Sequence, residues 1–119
     1  MSAVPAGWPA SVPPADAEGW VERAVVWLLD QAPADYRTYP LLRRQPVALG
    51  WLVRHHVDGQ VETTRAAYRV ARQDLGELGV PVPEVLELLE TEGARLLALQ
   101  RSVHLVADAL SGRRFVPRL

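Results

Sequence analysis

Apolar residues recur at alternating steps of four and three from Pro46 to Ser111, and this stretch organises the chain. Val57, Val61, Thr64, Tyr68, Ala71, Leu75 and Leu78 fall on one line; Val82, Leu86, Leu89, Gly93, Leu96, Gln100, Val103, Ala107 and Leu110 fall on another. A mean spacing of about 3.5 residues keeps one seam turned toward one partner along a whole helix. The stretch therefore predicts two long helices folded against each other at Leu78–Pro83. Gly76 and Gly79 can supply the left-handed residue that ends a helix, and Pro81 and Pro83 keep it from continuing. Pro83 suits the first turn of the next helix, where no N–H is needed, and Glu84 and Glu87 sit near its positive end.

A tip at Gly79 and Val80 pairs residue i with roughly residue 159 − i across the antiparallel arms. That register brings Arg72 near Glu87 and Glu90, Arg69 near Glu90, and Asp58 near Arg101. Exposed pairs of this kind contribute about 0.2–1 kcal/mol each, so they select a register more than they hold it. The apolar seam holds it, at roughly 1.5–3 kcal/mol per fully buried Leu or Val. An arm of about 33 residues is about 50 Å long.

Upstream, Trp20, Ala24, Trp27 and Leu28 make the i, i+4, i+7, i+8 face of a shorter helix over Ala15–Gln31, with Asp16 as its N-cap and Ala32-Pro33 as its stop. Val47 to Val53 is apolar almost all round and should be buried on several sides, with the first helix packed there and Trp20, Trp27 and Trp51 gathered at the closed base. The fold class expected is all-α: a short N-terminal helix on a long antiparallel two-helix hairpin. Residues 15–112 form the helical domain. The proline-spaced residues 1–14, anchored only by Trp8, read as an extended or disordered arm, and residues 113–119 as a basic tail.

One consequence concerns assembly. Val85, Leu88, Leu99 and Val106 form a second apolar line beside the seam, and a first helix of about 16 residues cannot cover both lines over the full hairpin. Monomers rarely expose so long an apolar strip, so a homodimer is expected, with hairpin tips pairing through Val85, Leu88 and Leu99 into a four-helix bundle.

Composition narrows the functional classes. The chain has 119 residues, enough for a single core, and 49% of them are hydrophobic. A net charge of −1 argues against a general binder of nucleic acid or of membrane surfaces. With no cysteine, disulfides and thiol catalysis are excluded. All 13 basic residues are arginine, which we read as the codon bias of a GC-rich bacterial genome. The longest purely apolar run, Ala24–Leu29, is far shorter than the ~20 residues of a membrane span. No basic segment followed by an apolar core opens the chain, so a cytoplasmic protein is the expectation.

Two places can hold a function. In residues 33–45, Tyr36, Arg37, Tyr39, Arg43 and Arg44 alternate rings with guanidinium groups, a pattern that suits a carboxylate, a phosphate or a partner's acidic face. The alternative use of the same side chains is to cover the core and cap helix ends. The second place is the flank of the hairpin. His55, Asp58 and Glu62 share one helix face, His104 and Asp108 sit at i and i+4 on the other arm, and the register sets position 55 opposite 104. Imidazoles and carboxylates on facing helices are how bundle metal sites are built, so His55, Asp58, His104 and Asp108 are candidate ligands for Zn²⁺, Mn²⁺ or Fe²⁺. A surface pair of Asp58 with His104 or Arg101 explains these residues more simply, and no Glu-x-x-His repeat is present. Nothing else indicates a cofactor. No serine sits in a nucleophile motif and there is no phosphate-binding glycine loop. The main reading is a non-enzymatic helical interaction protein that self-associates, and the alternative is a metal-binding bundle.

Overall fold

The computed structural model describes residues 4–112, and helices account for most of them; the basic tail expected at 113–119 lies outside the described residues. Helix α1 spans Trp20–Gln31, a single 3-10 turn Ala34–Thr38, α2 Pro40–Arg44, α3 Pro46–Leu75 and α4 Val82–Leu110. No strand occurs among the described residues. The architecture is all-α: α3 and α4 pack along their length as an antiparallel hairpin, and α1 packs on α3.

The hairpin seam follows the four–three pattern. Val57, Val61, Ala71, Leu86, Leu96, Val103 and Ala107 are buried along it, and Tyr68, Leu75, Leu89 and Leu110 are half-buried. Leu78 departs from the pattern at 68% exposed, because α3 has already ended at Leu75. The reversal turns on Gly79, whose φ of 72° suits only a residue without a Cβ, while Gly76 stays right-handed at φ −59°. Prolines then occupy the first turn of α4, as they do those of α2 and α3.

Contacts between the arms confirm the register. Arg54 pairs with Asp108, Asp58 with His104 and Gln100, and Tyr68 with Glu90, so paired positions add to 162, 162, 158 and 158. Arg69 and Glu90 come to one groove as expected, and the bonded partners add to the expected ones. Tyr68 Oη reaches Glu90, and the Arg101 stem lies under Gly7, where a Cβ would stand 2.7 Å from its Cδ. At the base, Gly50 brings α3 close to α4: a Cβ there would stand 3.2 Å from Ala107 Cα.

Leu28, Leu49, Val53, Val57, Val103 and Val106 are fully buried where α1 meets the hairpin base. α1 begins later than its apolar face suggests. Gly19, in the left-handed conformation at φ 77°, precedes Trp20 and breaks the continuation back to Ala15, so Asp16 does not cap the helix. Residues 4–19 run as successive turns, with Trp8 N–H on Pro5 O, Val12 N–H on Pro9 O and Ala17 N–H on Pro14 O. Where proline spacing predicts an extended or disordered arm, this segment is seated on the bundle. Pro5, Pro9 and Val12 are buried, Trp8 Nε1 donates to Val12 O at 2.9 Å, and Ser102 Oγ on α4 donates to Gly7 O at 2.6 Å.

The arm also changes the aromatic base. Trp8 stacks tilted on Trp20 with ring centroids 6.2 Å apart, and Trp20 and Trp27 pack against the core. Trp51 does not join them: it is 60% exposed, edge-on to His55 at 4.8 Å. Nor is the start of α3 buried all round, since Val47 is 52% exposed. α1 contacts only the side of α3 that carries Leu49 and Val53, and the side with Val47 and Trp51 is left open.

Candidate functional site

The register brings part of the hairpin-flank cluster together. His104 Nε2 meets Asp58 Oδ1 at 2.7 Å, and Gln100 Nε2 donates to the same oxygen at 2.9 Å. Burial alone raises the Asp58 pKa. Hydrogen bonds from Gln100 and His104 and the positive charges of His104 and Arg54 outweigh it, and the carboxyl is held below its ordinary 3.8. Arg54 takes the other carboxylate, donating to Asp108 Oδ1 at 2.8 Å. The result is a half-buried polar bridge between α3 and α4, with each acid answered by a donor.

The four ligands of the metal alternative do not converge. His55 is exposed beside Trp51, Arg54 occupies Asp108, and Asp58 and His104 are satisfied by each other and by Gln100. Among the described residues, no group of three or more metal-ligating side chains is found. The physical reason is angular. Successive helix positions are about 100° apart, so His55 lies about 60° from Asp58 around α3, on the side away from α4.

The tyrosine–arginine segment divides in two. Tyr36 packs half-buried against the core and edge-on to His56 at 6.2 Å. Arg37 Nη2 donates to Asp30 Oδ1 at 2.6 Å, tying the 3-10 turn to the end of α1. Tyr39 and Leu41 are 52% and 54% exposed, and Arg43 and Arg44 are exposed around them. Of the five, Arg37, Tyr39, Arg43 and Arg44 are exposed, Arg37 in its pair with Asp30, and Leu41 joins them.

The second apolar line is also divided. Val106 is fully buried and Leu99 packs half-buried against the core, so the base covers that part of the line itself. Val85 is half-buried and Leu88, nearer the tip, is 64% exposed. By the register Leu88 faces the level of Val70, which is 41% exposed.

On the opposite face of the hairpin, Val61, Thr64, Arg65, Tyr68 and Arg69 of α3 and Leu89, Glu90, Gly93 and Leu97 of α4 line an open, mostly apolar groove of about 370 Å³. The second apolar line did not include this face. Its signal was present in Leu97, which lies off the seam and is 47% exposed, and in Gly93, where missing side-chain bulk opens the seam. Across the groove Tyr68 Oη donates to Glu90 Oε1 at 3.0 Å, and that bond, with the carboxylate's negative charge, pushes the phenol pKa above 10.0.

No helix among the described residues is long and apolar enough to cross a membrane. No protein-family profile, curated protein or solved structure matches this chain.

Proposed function

We propose that this protein is a non-enzymatic helical interaction module that self-associates through the tip half of its hairpin. One observation carries the reading. α1 and the N-terminal turns cover the base, whereas the tip half is only two helices thick and exposes Leu88, Leu97 and Val70 at 64%, 47% and 41%. Two helices bury one stripe each, and the remaining apolar faces lower the free energy of the chain by meeting another helical surface. A second hairpin supplies that surface and completes a four-helix bundle. The exposed Tyr39, Leu41, Arg43 and Arg44 next to the base provide a separate surface for an acidic partner.

The test is a variant that charges both tip faces, Leu88→Asp/Leu97→Asp. Both side chains are already exposed, so helix content by circular dichroism is expected to be unchanged. Light scattering after size exclusion is expected to show the wild-type chain at twice its 13.2 kDa and the variant at the single-chain mass. Equal masses for the two proteins would refute the reading.

A further inference from the structure

The groove carries opposite charges on its two rims. On α3, Arg69 lines it beside Arg65, which is paired with Glu62 at 2.8 Å, and Arg72 lines the depression beyond it with Val82, Pro83 and Leu86. On α4, Glu90 lines it, and Glu87 lies three positions earlier on the same side of that helix. Between the rims the floor is Val61, Leu89, Gly93 and Leu97. The opposite tip face has no such division: it offers Asp74 on α3 and, on α4, the acidic Glu84 and a Glu92 bonded to Arg95.

We infer that the groove face is the contact between two copies of the chain, related by a two-fold axis that runs along the hairpin; the inference rests on the self-association proposed above and adds its face and orientation. A face-to-face pair of hairpins has two closed arrangements. An axis across the hairpin lays α3 on the partner's α3 and α4 on its α4, setting arginine rim on arginine rim and glutamate rim on glutamate rim. An axis along the hairpin lays α3 on the partner's α4, so each arginine rim meets a glutamate rim twice over. This axis leaves every residue at its own height. Positions adding to roughly 159 are level within one chain, so Arg69 comes level with Glu90 of the partner subunit, and Arg72 with Glu87 of the partner subunit. Every helix then has antiparallel neighbours, as in an up-down bundle.

Area supports extension of the contact beyond the tip. Two helices, each about 10 Å across, present about 450 Å² over the ~22 Å of residues 61–75, or about 900 Å² for both copies. That falls short of the roughly 1,200 Å² at which stable interfaces begin. Trp51 and Arg69 are eighteen positions apart, about five full turns, and so lie on the same side of α3. Continuing the contact to the exposed Trp51 brings the total to about 1,500 Å².

The experiment uses charge reversal on the full chain, followed by sedimentation equilibrium. Arg69→Glu/Arg72→Glu and Glu87→Arg/Glu90→Arg are each expected to weaken the dimer by about tenfold or more, because all facing rims become alike. An equimolar mixture of the two variants is expected to restore dimers, since each acidic rim again finds a basic one. The chain has no cysteine, so orientation can be read by cross-linking. An Arg69→Cys chain mixed with a Glu90→Cys chain is expected to form a disulfide-linked pair, and Arg69→Cys alone is not. Wild-type-like dimers from both reversed variants, failure of the mixture to pair, or self-linking of Arg69→Cys would each overturn the face or orientation while leaving self-association standing. A wild-type chain that is monomeric throughout would overturn both.

Discussion

Asp58 shows how one side chain ties the two arms and what pH does to the tie. In the folded protein its pKa lies below the ordinary 3.8, and in the unfolded chain it returns to that value. Its contribution is therefore complete above about pH 4 and is lost as pH falls through the depressed folded value. Asp58→Asn removes both the charge and its pH dependence. The difference in Tm between wild type and this variant is expected to shrink as pH falls below about 4. A difference that stays constant into acid would mean that Asp58 ionises as freely in the folded state as in the unfolded one. Gly50 makes a second tie at residue scale, through absence of bulk. Its α-carbon faces Ala107 so closely that Gly50→Val overpacks the base, and a loss of about 1–3 kcal/mol by chemical denaturation is expected.

Elements were legible in the sequence to different degrees, for reasons that individual residues make clear. The seam of α3 and α4 was readable because a four–three repeat means one thing along a helix, and it failed only at Leu78, past the end of α3. The start of α1 was not readable from its apolar face, since Gly19 enters the left-handed region that the face pattern does not register. Val47 to Val53 could not say which of its sides would meet α1, so Trp51 was placed inside and lies outside. Trp8 anchors the proline-rich stretch on the base, through turns that proline spacing alone does not specify. The His104–Asp58 bridge followed from register, whereas His55 required an angle around α3 that its distance along the sequence leaves open. These elements differ in how much a substitution should cost. Leu96 is the most buried side chain in the tip half, at 2% exposed, and Leu96→Ala is expected to cost about 2–5 kcal/mol in denaturant unfolding. Trp8→Ala should free the N-terminal turns while leaving the hairpin intact. Limited proteolysis is expected to cut between residues 4 and 19 faster than in wild type, without earlier cleavage in α3 or α4.

At the scale of the molecule, stability is concentrated at one end. The fully buried core lies at the base, where α1 and the N-terminal turns close over α3 and α4. The tip projects as a bare hairpin within a molecule whose principal extents are 55 × 41 × 19 Å. In the proposed assembly, this projecting two-helix arm, with apolar faces and rims of opposite sign, is half of a bundle whose other half a second copy supplies. Sedimentation equilibrium of the wild-type chain, from about 1 to 100 µM, tests this most directly. A mass rising from 13.2 kDa toward twice that value is the result expected. A mass that stays at the single-chain value across the whole range would contradict the account.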